Sequence, residues 1–183
     1  MKRFRYLIAR HEKEYSKFRA LVRETFELRD RSELAWRDWQ LAAKRFREYH
    51  SEVDDLVDRC LEKGIDSDQE LRTFAFCFVE LDPYYHRSGY TLERLLRQIK
   101  RLRLSEAEKL LIQELILKRI DTKARRNFRD ICRLIPKIET DRFRNKVSLR
   151  AQSDQPSVKH RADLAVSYFP AIGKARGDGF EMS

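Results

Sequence analysis

Apolar residues recur at alternating steps of four and three along the first third of the chain, a spacing typical of one face of an α-helix. This pattern predicts a helix from about Arg3 to Leu28 and a second helix from about Arg31 to Lys63. Asp30 and Glu33 have the spacing of a capping box that would begin the second helix. Two long helices with a short link predict an antiparallel hairpin, and one helix unbroken through residue 30 is the alternative.

The second half of the sequence has shorter apolar stretches, which capping and turn signals separate. Predicted helix starts are Ser67 with Glu70, Thr91, Ser105 with Glu108, Asp121 or Thr122, and Thr140; predicted ends are Gly64, Asp82-Pro83 and Pro136. The stretch that contains Phe74, Phe76 and Phe78 is apolar almost all round, so we expect it to form a central, buried helix.

These elements predict an all-α protein, with a long antiparallel helical hairpin followed by a short stack of helix pairs, as in an α-solenoid. The expected divisions are residues 1–64 for the hairpin, 65–152 for the stacked short helices, and 153–183 for a linker, a possible short helix and a mobile tail. No residue pattern recurs at a fixed period, so the sequence indicates no particular repeat family.

The net charge of +10 is unevenly distributed over the 183 residues. Residues 71–152 contain 20 Lys or Arg and 10 Asp or Glu, whereas residues 31–70 contain 7 and 11. Such a basic segment favours association with polyanions but indicates nothing about fold.

Basic side chains follow one another at helical spacing on three predicted helices, away from the apolar faces. The three ridges are Arg94, Arg97 and Arg101; Arg126, Arg129, Arg133 and Lys137; and Arg142, Lys146 and Arg150. Like charges at these spacings repel, so the helices gain nothing locally from them. The ridges contain no acidic residue that would offset this repulsion, although Glu93 and Asp130 lie nearby. If the three helices pack side by side, the ridges form one continuous positive surface that suits phosphate groups.

We therefore expect a non-catalytic helical protein that binds nucleic acid or another polyanion, with little sequence specificity because it has no recognised DNA-reading motif. The alternative is a protein–protein adaptor that binds an acidic partner, and a solvated basic face without a partner is a third interpretation. No catalytic motif, cofactor fingerprint or metal-ligand spacing occurs in the sequence, so we expect no enzyme activity, cofactor or metal. The cluster Glu80, Asp82, Tyr85 and His86 is the only gathering of catalytic residue types.

Aromatic residues form the second group of candidates. Trp36 and Trp39 fit either the hairpin seam or a partner-binding anchor. The hairpin as a whole is expected either to pack on the stack of short helices or to form a homo-oligomer. Tyr84 and Tyr85 fit either a packed corner between helices or a partner-binding loop. His11 and His50 fall in the apolar stripes, as satisfied seam residues or as a pH-sensing or metal-binding pair.

The remaining expectations concern the cellular compartment. The three cysteines, Cys60, Cys77 and Cys132, are far apart and lie among apolar residues, which favours buried, reduced thiols in a cytoplasmic protein. No apolar run approaches the roughly 18 residues that a membrane-spanning helix requires, so we expect no membrane association.

Overall fold

The computed structural model describes residues 1–85, 88–122 and 127–171, and every regular element in those ranges is a helix. The prediction of an all-α protein is therefore confirmed. The chain divides into two compact units, an N-terminal unit of Met1–Arg103 and a C-terminal unit of Leu104–Ser183. This division differs from the expected one after residue 64, because helices beyond Gly64 pack on the predicted hairpin. The predicted mobile tail lies outside the described residues from residue 172 onward.

Five helices form the N-terminal unit: α1 (Lys2–Leu28), α2 (Glu33–Glu48), α3 (Glu52–Lys63), α4 (Gln69–Leu81) and α5 (Ser88–Ile99). α1 and α2 pack against each other as the predicted hairpin. A 3-10 turn, Arg29–Arg31, separates them, so the alternative of one unbroken helix is wrong. The predicted cap at Asp30 is also wrong, because Ser32 caps α2 by accepting a hydrogen bond from the Ala35 amide at 3.1 Å.

The predicted second helix, Arg31 to Lys63, is broken where α2 ends. Tyr49 and Ser51 both have extended backbone, which interrupts the helix. Ser51 then caps α3, and the Asp54 carboxylate accepts a hydrogen bond from the Ser51 amide at 2.8 Å. The pair Ser51 and Asp54 has the spacing of a capping box, a local signal that the continuous apolar stripe concealed.

α4 is the centre of the N-terminal unit, as its apolar sequence predicts. Its buried side chains are Leu71, Phe74, Ala75, Phe76, Cys77, Phe78 and Val79. α1, α3 and α5 all pack against it. The helix ends at Asp82, which has a left-handed backbone with φ 47°. Gly64 ends α3 as predicted, with φ 78° and its amide bonded to the Cys60 carbonyl.

α5 begins earlier and ends earlier than the sequence predicts. Its first residue is Ser88, so Thr91 lies inside the helix and does not cap it. Its last residue is Ile99, and Arg101 therefore lies in the turn that follows, where its amide bonds to the Gln98 carbonyl.

The C-terminal unit contains α6 (Glu106–Asp121), α7 (Phe128–Cys132), α8 (Ile135–Ile138), α9 (Asp141–Ala151) and α10 (Pro156–Val166). α6 begins with the predicted capping box of Ser105 and Glu108, and α7, α8, α9 and α10 all pack against it. The buried amide of Gln113 on α6 donates hydrogen bonds to the Ile138 carbonyl at 2.5 Å and to Thr140 at 3.3 Å. This bond holds the corner between α8 and α9 on the central helix.

Where the sequence predicts one helix between residues 121 and 136, the described residues from 127 onward form the short helices α7 and α8, and residues 123–126 lie outside the described ranges. Pro136 does not end a helix, because it lies in the first turn of α8, where a missing amide proton costs little. Thr140 caps α9 as predicted, and the short helix expected within residues 153–183 is present as α10.

The start of α4 provides a direct test of the capping assignment. The carboxylate of Asp68 accepts a hydrogen bond from the Leu71 amide at 3.0 Å, whereas the sequence assigns the cap to Ser67. Substitution Asp68→Ala should lower the free energy of unfolding by about 1 kcal/mol because it removes this cap. Ser67→Ala should leave it unchanged within about 0.5 kcal/mol. Urea denaturation of both variants measures the difference, and the opposite ranking would contradict the assignment.

Candidate polyanion-binding surfaces

The first basic ridge lies on α5 and the turn after it. Arg94, Arg97 and Arg101 are exposed, and the buried face of the same helix carries Leu92, Leu95, Leu96 and Ile99. Tyr90, which is 60% exposed, precedes Arg94 by one helical turn and so extends the same face. The apolar side of α5 packs against α4, so the basic ridge on the other side faces solvent.

The other ridges belong to the C-terminal unit. Arg129, Arg133 and Lys137 are exposed on α7, α8 and the turn between them, and Arg142 and Lys146 are exposed on α9. α9 turns Phe143 and Val147 inward, which places Arg142 and Lys146 on the outer side. Arg126 lies outside the described residues. The predicted single surface is thus divided between two units, with one ridge on the N-terminal unit and the others on the C-terminal unit.

Two arginines of the ridges are paired with acids three or four residues away, contrary to the sequence-based expectation. Arg97 pairs with Glu93, and Arg133 pairs with Asp130 at 2.6 Å, each on its own helix. These pairs are exposed on at least one side, so a competing anion exchanges with them at little cost. Both acids lie beside the ridges in the sequence, but the ion pairs were not predicted from it. A residue three or four positions away on a helix can contact the arginine even when it lies to one side of the basic row.

Arg150 differs from the other ridge residues because it is half-buried and doubly bonded. Its Nε and Nη2 atoms each donate to a carboxylate oxygen of Asp121 at 2.7 Å, which ties α9 to the end of α6. The hydrogen bond to Asp121 raises the pKa of Arg150 above its ordinary value. Arg150 is therefore a structural residue of the C-terminal unit and a poor candidate for ligand binding.

The two tryptophans lie at the far end of the α1–α2 hairpin. Trp39 is half-buried, with its ring 4.9 Å from Trp36 and 6.0 Å from Phe26. Trp36 is 41% exposed. Trp39 is thus a seam residue, and Trp36 covers it from the solvent side.

Tyr84 and Tyr85 follow α4 and have different environments. Tyr84 is exposed, and its amide donates to the Glu12 carboxylate at 2.9 Å. Tyr85 is half-buried, with its ring 4.5 Å from that of His11 and 5.5 Å from that of Tyr15. Both tyrosines line a cleft of about 600 Å³ against α1. Tyr85 is therefore a packed corner residue, and Tyr84 is the member of the pair that faces solvent.

His11 is a buried residue of the hairpin seam, 2% exposed among Tyr15, Tyr49 and Tyr85. Its Nδ1 lies 2.7 Å from the hydroxyl of Ser51, the residue that caps α3. Its Nε2 is buried and has no hydrogen-bond partner among the described residues. Burial lowers the pKa of His11, and this effect outweighs the opposing charge of Asp54 and of Glu12. His50 is exposed and bonded to Asp55 at 2.8 Å, which raises its pKa.

The remaining candidates are the thiols, a metal site, a membrane-spanning helix and the cluster around His86. Cys60, Cys77 and Cys132 are buried free thiols, and burial raises the pKa of both Cys60 and Cys132 to about 12. Among the described residues, no group of three or more His, Cys, Asp or Glu side chains has an arrangement that would hold a metal ion. None of the described helices has the length and apolar character needed to cross a bilayer. His86, a member of the catalytic-type cluster, lies outside the described residues.

His11 predicts a pH dependence of stability. Its pKa in the folded chain lies below the ordinary value of 6.5, so the unfolded chain binds the proton more readily. The contribution of neutral His11 is complete above pH 6.5 and is lost as the pH falls through 6.5 towards the lowered pKa. The contribution of His11 to the free energy of unfolding should therefore decrease on acidification from about pH 8 to about pH 5. The raised pKa of His50 acts in the opposite direction, so the difference between the wild type and a His11 variant isolates the contribution of His11.

Substitution His11→Gln should flatten that decrease, whereas His160→Gln, which removes an exposed histidine of α10, should retain it. Denaturant titrations at several pH values measure both slopes. An equal acid dependence in His11→Gln and in the wild-type chain would contradict the assignment to His11.

Comparison with known proteins assigns these surfaces to no family. No family model, no curated protein and no solved structure matches the chain. The chain's own residues are therefore the basis for the function proposed below.

Proposed function

We propose that this chain is a non-catalytic binding protein that engages the phosphate backbone of nucleic acid, or another polyanion, through its basic ridges. The observation that carries the proposal is that five cations of the ridges are both exposed and not paired with an acid of the described chain. Arg94, Arg101, Arg129, Arg142 and Lys146 are exposed, and none of them forms an ion pair with another described residue. Exposed cations in rows are available to an external anion and do not contribute to the fold.

The α5 ridge supports phosphate binding through its spacing. Arg94 and Arg97 are one turn apart on α5, and Arg101 follows in the turn after the helix, so the three side chains form a short basic row. Arginine presents a planar fork of donors that matches phosphate oxygens bidentately. Tyr90 lies in the same line, and an exposed aromatic ring beside arginines is a platform on which bases stack.

The partners of each ridge residue distinguish binding residues from structural residues. Arg94 and Arg101 form no ion pair with the rest of the described chain, so their loss should reduce affinity but not stability. Arg150 is held by Asp121, so its loss should reduce stability but not affinity. A loss of affinity without a loss of stability at Arg94 and Arg101 would distinguish a binding surface from one that is only solvated.

The double variant Arg94→Gln with Arg101→Gln should weaken binding of a fluorescent single-stranded RNA or duplex DNA at least about tenfold, since each cation contributes one phosphate contact. Fluorescence anisotropy at a fixed low salt concentration measures the change. The matched control is Lys13→Gln with Arg47→Gln, which removes the same charge from exposed positions of α1 and α2. An equal loss in the control would show attraction to net charge alone and would contradict a ridge-specific site.

The variant Arg150→Gln should lower the free energy of unfolding by about 1 kcal/mol, because it breaks a partly buried, doubly bonded pair. Its affinity for the same nucleic acid should remain within about twofold of the wild type at the same salt concentration. Urea denaturation and anisotropy on one preparation measure both effects. A large loss of affinity with unchanged stability would contradict the structural assignment of Arg150.

A further inference from the structure

The distal part of the α1–α2 hairpin, residues 15–48, leaves about half of its apolar side chains exposed and most of the rest half-buried; we call it the arm. The structure describes all of these residues, and Ala42 is the only one that is buried. By contrast, α1 buries Phe4, Ile8 and His11 in its first three turns, where it packs on α3 and α4. Two helices share a single seam, so the arm cannot cover its own apolar residues.

Four exposed leucines form one side of the arm, which we call the leucine face. They are Leu21 at 38%, Leu28 at 42%, Leu34 at 69% and Leu41 at 54% exposure. The members of each pair are seven residues apart, which places them on one line along α1 and one line along α2.

The leucines of both helices lie on the same side of the seam. Leu21 precedes the seam residue Val22, and Leu41 precedes the seam residue Ala42. In an antiparallel helix pair, the positions that precede the seam on the two helices face the same side. The other side is partly covered, because the Arg29 guanidinium lies 3.5 Å from the centre of the Phe26 ring.

Ring contacts fix the register of the two helices. Phe26 lies against Trp39, and Tyr15 lies against Phe46. Leu21 falls between the two contacts on α1 and Leu41 falls between them on α2, so the two leucines form a layer at about the same level of the arm.

Charged residues on the two sides of this layer, along the length of the arm, have opposite signs. On the side nearer the body of the unit lie the exposed cations Lys17 and Arg45; on the distal side lie the exposed anions Glu24 and Asp38. Each charge is three or four residues from its leucine, and so lies on the leucine face. Lys17 also contacts Glu14 on its own helix at 2.7 Å. The other three form no ion pair with any residue that the structure describes.

We propose that the leucine face binds a second copy of this chain, so that two arms form an antiparallel four-helix bundle. A two-fold axis through the Leu21–Leu41 layer brings Lys17 of each copy level with Glu24 of the other, and Arg45 level with Asp38. A two-fold interface is self-complementary, and the cations on one side and anions on the other satisfy that requirement at these four positions. Arg37 and Lys44, the other charged residues three or four positions from Leu41, are paired with Glu33 and Glu48 on their own helix. An acidic or a basic partner would match only half of the pattern.

The experiment uses the full chain and two charge-swapped variants. Lys17→Glu with Arg45→Glu makes the face acidic on both sides of the layer, and Glu24→Lys with Asp38→Lys makes it basic on both sides. In sedimentation velocity at up to about 100 µM, a concentration that detects weak self-association, the wild type should be dimeric. Each variant alone should be monomeric, because like charges then meet. An equimolar mixture of the two variants should restore the dimer.

The matched control is Arg19→Glu with Arg47→Glu, which changes two exposed cations on the opposite side of the seam, after Phe18 and Phe46. This control should remain dimeric, and circular dichroism of every variant should show unchanged helix content. A wild-type chain that stays monomeric, or variants that stay dimeric, would overturn the proposal. Failure of the mixture to reassociate would also overturn it, because the assignment of Lys17 to Glu24 and of Arg45 to Asp38 would then be wrong. None of these residues belongs to the basic ridges, so this outcome is independent of nucleic-acid binding.

Discussion

Burial of one apolar helix at the centre of each unit is the constraint on which the rest of the structure depends. α4 buries side chains on every side, and the helices around it turn their apolar faces towards it. α6 has the same role in the C-terminal unit, where Ile112, Ile116 and Ile120 are fully buried. Because the central helices take up these apolar faces, the basic faces of α5 and α9 are left in solvent.

The same constraint explains the arm. α4 has 13 residues and is roughly 20 Å long, whereas α1 has 27 residues and is roughly 40 Å long. The first turns of α1 therefore pack on the body of the unit, with Phe4 against Phe74. Its second half extends beyond α4 and packs mainly along α2, with Tyr15 and Phe18 near its start also against Tyr85 and Tyr49. Exposed leucines and exposed arginines thus have one origin: each unit has a small core, and the surfaces that this core does not cover remain in contact with solvent.

The sequence predicted the helical class, the central helix around Phe74 and Phe78, and several helix ends, because each of these depends on local spacing. It missed the break at Tyr49 to Ser51, since the apolar stripe continues across a change of direction. It also did not reveal that Arg150 pairs with Asp121, 29 residues away, because such a contact depends on how α9 packs on α6. Exposure and pairing of the ridge residues follow from tertiary packing, and so only the structure separates the free cations from the paired ones.

The most direct measurement is the salt dependence of nucleic-acid binding by the unmodified chain. Binding through backbone phosphates releases one counterion for each contact, so the logarithm of the affinity falls linearly with the logarithm of the salt concentration. The free ridge cations predict a slope with a magnitude between about 2, for one ridge, and about 4, for all five cations together. A slope near zero, or no detectable binding at low salt, would contradict the account of the basic ridges as a binding surface for polyanions.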